Sequence, residues 1–103
     1  MSISPLAVGE RDFARMAGKF SALSEPMRLR ILNVLMRGER NVGEITHAVG
    51  GTQTNISRHL QKLAHAGVLA FRKEGQCVLY HICDPTISQL CALVCKPGQV
   101  KNA

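Results

Sequence analysis

The stretch TQTNISRHLQKLAHAG, Thr52 to Gly67, decides how this chain is read. Ile56, Leu60 and Leu63 recur at intervals of four and three, which lays an apolar stripe along one side of a helix. Gln53, Asn55, Ser57, Arg58 and Gln61 fall elsewhere around it, so the helix has one side to bury and another to use. The amides, hydroxyls and guanidinium near its N-terminal end are groups that pair with base edges or phosphate oxygens when a helix end enters the major groove of DNA. Many surface helices are amphipathic, so the setting has to distinguish this one.

Immediately before it, Asn41-Val42-Gly43-Glu44 matches a capping box, in which Asn41 accepts from the third helical N–H and Glu44 reaches back. The short helix it opens carries Val42, Ile45 and Val49, and Gly50-Gly51 turns the chain sharply into the next. A short helix, a tight turn and a longer helix with a polar N-terminal end follow the order of a helix-turn-helix. Further upstream, Ser24-Glu25-Pro26 restarts a helix, with Ser24 as N-cap and the proline in the first turn. From Met27 to Arg37, Met27, Ile31, Leu32, Leu35 and Met36 form a core stripe, with Arg28 and Arg30 extending outward and Gly38 as the stop. Glu10 to Leu23 forms an earlier helix with Phe13, Met16, Ala17 and Phe20 on one side, either packed within the monomer or shared with a second subunit.

Downstream, Gly67 stops the long helix and Val68 to Lys73 reads as a strand. Glu74-Gly75 supplies a turn, and Gln76 to Ile82 returns with Val78, Tyr80 and Ile82 on one face. With Arg72-Lys73 as a basic shoulder, this hairpin is either a wing reaching the DNA backbone or minor groove, or a ribbon closing a small core. Asp84-Pro85 then starts a last helix running to Lys96. Ile87, Leu90, Cys91 and Val94 form its apolar face, widened by Leu93 and Cys95, and Pro97-Gly98 terminates it. A helix so apolar predicts a partner subunit, with Phe13, Phe20, Ile87, Leu90, Cys91 and Val94 as the candidate dimer interface. The predicted fold is mainly α with a β-hairpin wing, in the order α-α-α-α-β-β-α. A domain over 10–96 lies between a flexible arm, 1–9, and a tail, 97–103.

With 103 residues, the chain is expected to form one domain with a modest core, which dimerisation would complete. Its formal charge of +6 and pI of about 9.6 favour a polyanionic partner. Between Gly51 and Gln76, Arg58, Lys62, Arg72 and Lys73 stand against Glu74 alone, with His59 and His65 in addition. The DNA-contact candidates are Thr52, Gln53, Thr54, Asn55, Ser57, Arg58, His59 and Lys62 from the helix, and Arg72, Lys73 and Gln76 from the wing. His59 could instead hydrogen-bond the helix to its scaffold. The absence of tryptophan, with Tyr80 the only tyrosine, disfavours a stacking surface for single strands. Without an 18-residue apolar run or an export-type N-terminus, the expectation is a cytoplasmic protein that does not enter the membrane.

Taken together, ALSEPMRLRIL (Ala22 to Leu32), NVGEI (Asn41 to Ile45), TNISRHLQKLAHAGVL (Thr54 to Leu69) and GQCVLYHI (Gly75 to Ile82) resemble the ArsR/SmtB-type winged-helix repressors of bacteria. The resemblance runs from about Phe20 to Cys95. It implies a homodimer joined through its first and last helices, with paired reading helices in successive major grooves of a palindromic operator, released when an inducer binds. It does not carry over one inducer site. Metalloid sensors of this family place thiols near the start of the third helix, where this chain has Asn41, Val42 and Gly43. Zinc sensors begin the last helix Asp-x-His; Asp84 is kept here, but Thr86 stands in the histidine's place. Sulfur-responsive relatives use a second-helix thiol where this chain has Asn33.

The cysteines Cys77, Cys83, Cys91 and Cys95 are better read as reduced thiols than as a disulfide scaffold. Cys91 and Cys95 share a helix face and can offer two thiolates to one soft ion. Arsenite-like or mercury-like species need only three thiolates, and Cys83 or a cysteine of the symmetry mate could supply the third. Redox or sulfide sensing and plain packing of small apolar side chains are the alternatives. His47 and His81 are weaker candidate ligands for a borderline metal. No cofactor is expected for DNA binding itself, with arsenite, antimonite or another thiophilic ion the candidate inducer. An enzyme is disfavoured because no phosphate loop, nucleophile elbow or paired-acid pattern is present. The remaining alternative is a winged-helix protein-interaction module.

Overall fold

The computed structural model describes residues 8–95, the last of them by its backbone alone. Most of the arm, the Cys95 side chain and the tail therefore lie outside the described residues. The order is α1 (Glu10–Leu23), α2 (Pro26–Leu35), β1 (Arg40–Asn41), α3 (Val42–Val49), α4 (Gln53–His65), β2 (Leu69–Glu74), β3 (Cys77–Ile82) and α5 (Pro85–Cys95). This is the expected winged helix-turn-helix, with one strand added. β1 pairs antiparallel with β3, Arg40 opposite Tyr80 and Asn41 opposite Leu79, so the ribbon becomes a three-stranded sheet in the order β1-β3-β2. Two residues, of which Asn41 is already the N-cap of α3, carry no strand periodicity of their own, and only the edge of β3 gives them a partner.

Local signals account for most boundaries. The Glu44 N–H donates to Asn41 Oδ1 at 2.8 Å, and the Asn41 N–H donates to Glu44 Oε1 at 2.9 Å, which is the full capping box. Gly50 and Gly51 have φ of 82° and 103°, in the left-handed region that glycine reaches without strain from a Cβ. The Thr52 hydroxyl oxygen accepts the Asn55 N–H at 3.1 Å and caps α4. Two expected boundaries move. Ser24 closes α1 instead of capping α2, and the cap is Glu25, whose carboxylate accepts the Arg28 N–H at 3.0 Å. The hairpin turn is Gly75-Gln76, between the paired Glu74 and Cys77, because Gly75 supplies the positive φ.

Ile31, Leu32, Ile45, Ile56, Leu60, Leu63 and Val68 are fully buried, drawing α2, α3, α4 and the start of the wing into one core. Burying each side chain of this kind contributes about 1.5–3 kcal/mol. Tyr80 and Ile82 of the expected inward face of β3 pack against that core, as do Leu69 and Cys91. Ile87 is also a core residue, 4% exposed, so of the six candidate interface residues it is the one already consumed within the chain.

α1 and α5 are tied by an ion pair between Lys19 Nζ and Asp84 Oδ2. The other Asp84 oxygen accepts the Thr86 N–H at 3.0 Å, as expected of a residue starting a helix. The Lys19 ammonium, with the Thr86 N–H adding to it, holds the Asp84 carboxyl below its ordinary pKa of 3.8. A carboxylate with a depressed folded-state pKa stabilises the fold above its unfolded value and loses that contribution as pH falls through the folded value. Asp84→Asn should therefore lower the urea midpoint at neutral pH, with the difference from wild type closing only below about pH 4. A difference constant from pH 7 to pH 2.5 would show that the carboxylate charge is not responsible.

Candidate nucleic-acid interface

The first turn of α4 is built to be presented. Thr52, Gln53, Thr54 and Asn55 are exposed, as are Arg58, Gln61 and Lys62, whereas Ile56, Leu60 and Leu63 point into the core. Thr52 spends a lone pair on its cap and keeps its hydroxyl proton for an outside acceptor. Among the described residues, neither Arg58 nor Lys62 has a hydrogen-bond or ion-pair partner, so both charges are open to an anion. Ser57 is half-buried, and with Val42, Gln53 and Thr54 it lines a notch of about 290 Å³ between α3 and α4.

Arg28 departs most from its expected place. It is only 9% exposed and turned inward. Its Nε donates to Ala22 O at 2.6 Å and a terminal nitrogen to Ser21 O at 3.3 Å, so it closes the C-terminal end of α1. The other terminal nitrogen lies 3.3 Å from His59 Nδ1. A guanidinium can only donate, so Nδ1 accepts and the ring proton of the neutral imidazole sits on Nε2. Of the two roles open to His59, the structure places the scaffold contact, and α4 is thereby oriented from α2. Helix periodicity could not reveal this, because an arginine between core positions is ordinarily solvated.

The wing is less basic than its sequence suggests. Arg72, Lys73 and Gln76 are exposed, but Arg72 makes a forked pair with Glu39, Nη2 to Oε1 at 2.5 Å and Nε to Oε2 at 3.2 Å. It also lies 3.5 Å from Glu74. The Arg72 guanidinium holds the Glu39 carboxyl below the ordinary carboxylate range. Glu39, just ahead of β1, was missing from the local charge count because it lies 33 residues away in sequence. Lys73 keeps the wing's open positive charge.

At the other end, Phe13, Met16 and Phe20 of α1 and Leu93 and Val94 of α5 are exposed large apolar side chains, Val94 at 76%. Leu90 is half-buried. Cys77 and Cys83 are exposed, while Cys91 is half-buried against the core. Among the described residues, which leave out the Cys95 side chain, no three His, Cys, Asp or Glu side chains come together as a metal-ligand group. The Cys83 thiol is directed to Gly67 O at 3.4 Å. His81 sits on β3 opposite Ala70, and His47 is exposed on α3; neither joins a ligand group.

A capped short helix, a glycine turn, a longer helix with an exposed polar first turn and a hairpin wing define a winged helix-turn-helix, the architecture of a DNA-binding transcription regulator. Residues 25–70 match the model of the bacterial regulatory protein family arsR. The chain is 40% identical over 78 residues to the uncharacterized HTH-type transcriptional regulator Rv0081 of Mycobacterium tuberculosis, covering 75% of this chain and 68% of that protein. The Rv0081 crystal structure superposes with a TM-score of 0.75 at 37% identity, covering 85% of this chain and 89% of that one. A solution structure from Mycobacterium bovis, the homodimeric winged helix-turn-helix domain of Mb0332, a possible ArsR-family regulator, gives 0.76 at 34% identity over 87% of this chain and 86% of that one. A probable mercury resistance operon repressor of Streptomyces lividans is 35% identical over 74 residues, 72% of this chain and 59% of that protein. The chain belongs to the ArsR family of transcriptional regulators; it is not an enzyme. No helix among the described residues is long and apolar enough to cross a membrane.

Because Arg28 joins α1, α2 and α4, Arg28→Ala should destabilise the fold by about 1–3 kcal/mol, leaving Ala22 O without its buried donor. Urea denaturation measures this. An unchanged midpoint would mean that water replaces the guanidinium at no cost.

Proposed function

We propose that the protein is a homodimeric repressor that binds a palindromic operator through α4 and the wing and is released by a thiophilic metal or metalloid ion. The observation that carries the DNA reading is the exposed Arg58 and Lys62, without partners among the described residues, on a helix whose opposite stripe is immobilised in the core. Gln53, Thr54, Asn55 and Arg58 read base edges, Thr52 and Lys62 hold phosphates, and Ser57 borders the notch with Val42, whose apolar wall suits a thymine methyl. Lys73 and Gln76 contact the flanking backbone, and Arg72 joins them only by leaving Glu39. His59 acts through the placement of α4.

The dimer is supported by exposed Phe13, Phe20 and Val94, with Leu90 and Cys91 beside them and Ile87 behind. The homodimeric state of the Mycobacterium bovis domain points the same way. Cys91 and Cys95 are the inducer ligands, and a thiolate from the partner subunit completes a trigonal site. A soft ion fits a sulfur donor set, and the mercury resistance repressor among the relatives favours that class. Ion binding need only change the relative placement of the two α4 helices to disfavour the DNA-bound dimer.

Fluorescence anisotropy on the chain's own upstream DNA tests both halves. Arg58→Ala should weaken operator binding by about 1–3 kcal/mol, and Lys73→Ala should weaken all duplexes evenly and reduce the salt slope by about one. Unchanged binding in both would remove DNA recognition from this face. Titration with arsenite, antimonite, cadmium or mercury should release the DNA, and Cys91→Ser with Cys95→Ser should abolish release while preserving operator affinity. Release by a persulfide donor alone would assign the thiols to sulfur chemistry instead.

A further inference from the structure

Between α1 and α4 lies an open cleft of about 640 Å³ that the DNA reading does not account for. Its volume is within the range of small-molecule sites, about 300–1,000 Å³. The α1 side is made of Ala14, Gly18 and Ala22, and Ala66 at the end of α4 continues this apolar floor. The rim is cationic: Arg58 and Lys62 project from α4, and Arg15 from α1. Arg15 is partly satisfied by Asp12, 3.0 Å away, whereas Arg58 and Lys62 have no partner among the described residues. Among the described residues no carboxylate lines the cleft, and the Ser21 hydroxyl, Gln61 amide and His65 imidazole add hydrogen-bonding groups. A DNA phosphate would use the two α4 cations but would gain nothing from an alanine and glycine floor. An apolar body bearing one negative charge would use both.

We propose that this cleft binds a small organic anion of the aromatic carboxylate class, and that its occupant competes with DNA for Arg58 and Lys62. The competition rests on the DNA reading above; the binding site does not. Gly18 provides the test. A Cβ built there meets nothing within 4 Å, and its helical backbone accepts any side chain, so Gly18→Leu fills the floor without strain in the fold.

The probes are 2-naphthoate and its uncharged amide, titrated calorimetrically into the full chain without DNA at constant ionic strength. Naphthoate should bind saturably and the amide at least about tenfold more weakly, since a hydrogen bond from a charged group outweighs one between neutral groups. Gly18→Leu should abolish naphthoate binding while retaining wild-type DNA affinity, and Gly18→Ala should keep both. In anisotropy, naphthoate should displace DNA from wild type but not from Gly18→Leu, with acetate at equal ionic strength as the control. No saturable binding, equal binding of the amide, or binding retained by Gly18→Leu overturns the site. Saturable, Gly18-dependent binding that leaves the duplex bound sustains the site and overturns the competition. If Arg58→Ala and Lys73→Ala both bind DNA normally while Arg58→Ala loses naphthoate, the DNA reading fails and the site stands.

Discussion

The burial of Ile56, Leu60 and Leu63 is the constraint on which the rest depends. All three are fully buried, so α4 can neither roll about its axis nor slide without opening the core. That immobility gives meaning to its other side, because groups that contact a groove must be held in register before DNA arrives. Arg28 adds a polar restraint to the apolar one. Its guanidinium satisfies carbonyls at the end of α1 and meets His59 on α4, so three helices share one buried donor. The arginine is at home there only because its partners are in place; without them a buried charge would be costly.

The same economy of contacts couples the two ends of the molecule. α1 carries exposed phenylalanines, α5 exposed Leu93 and Val94, and the Lys19–Asp84 pair ties the two helices where α5 begins. Any association through those apolar faces acts on α1, and α1 is linked to α4 through Arg28 and across the cleft. A change in how two subunits sit together would therefore have a short physical route to α4. An allosteric regulator needs such a route, two arrangements that differ in subunit placement without requiring α4 to unfold.

The wing shows how charge counted along a sequence misleads. Arg72 appears basic by composition, yet it is forked onto Glu39 and approached by Glu74, leaving Lys73 as the open charge. Electrostatic attraction to a duplex depends on charges left unpaired in space, and Arg58 and Lys62 on α4 are two of these among the described residues.

By itself the sequence determined much of what neighbours in the chain settle, although the α2 cap fell to Glu25 and the hairpin turn to Gly75-Gln76. The Asn41–Glu44 box, the glycine turn at Gly50-Gly51 and the buried stripe of α4 were all legible, since each depends on residues close together in the chain. The motif order carried the family, and with it the DNA-binding class. Tertiary structure alone decided what depends on distant partners. The pairing of β1 with β3, the inward turn of Arg28, the neutralisation of Arg72 by Glu39 and the strut from Lys19 to Asp84 join residues up to 65 apart. It also placed Ile87 inside the chain and opened a cleft between α1 and α4, because helix periodicity names an apolar face without saying which neighbour will cover it.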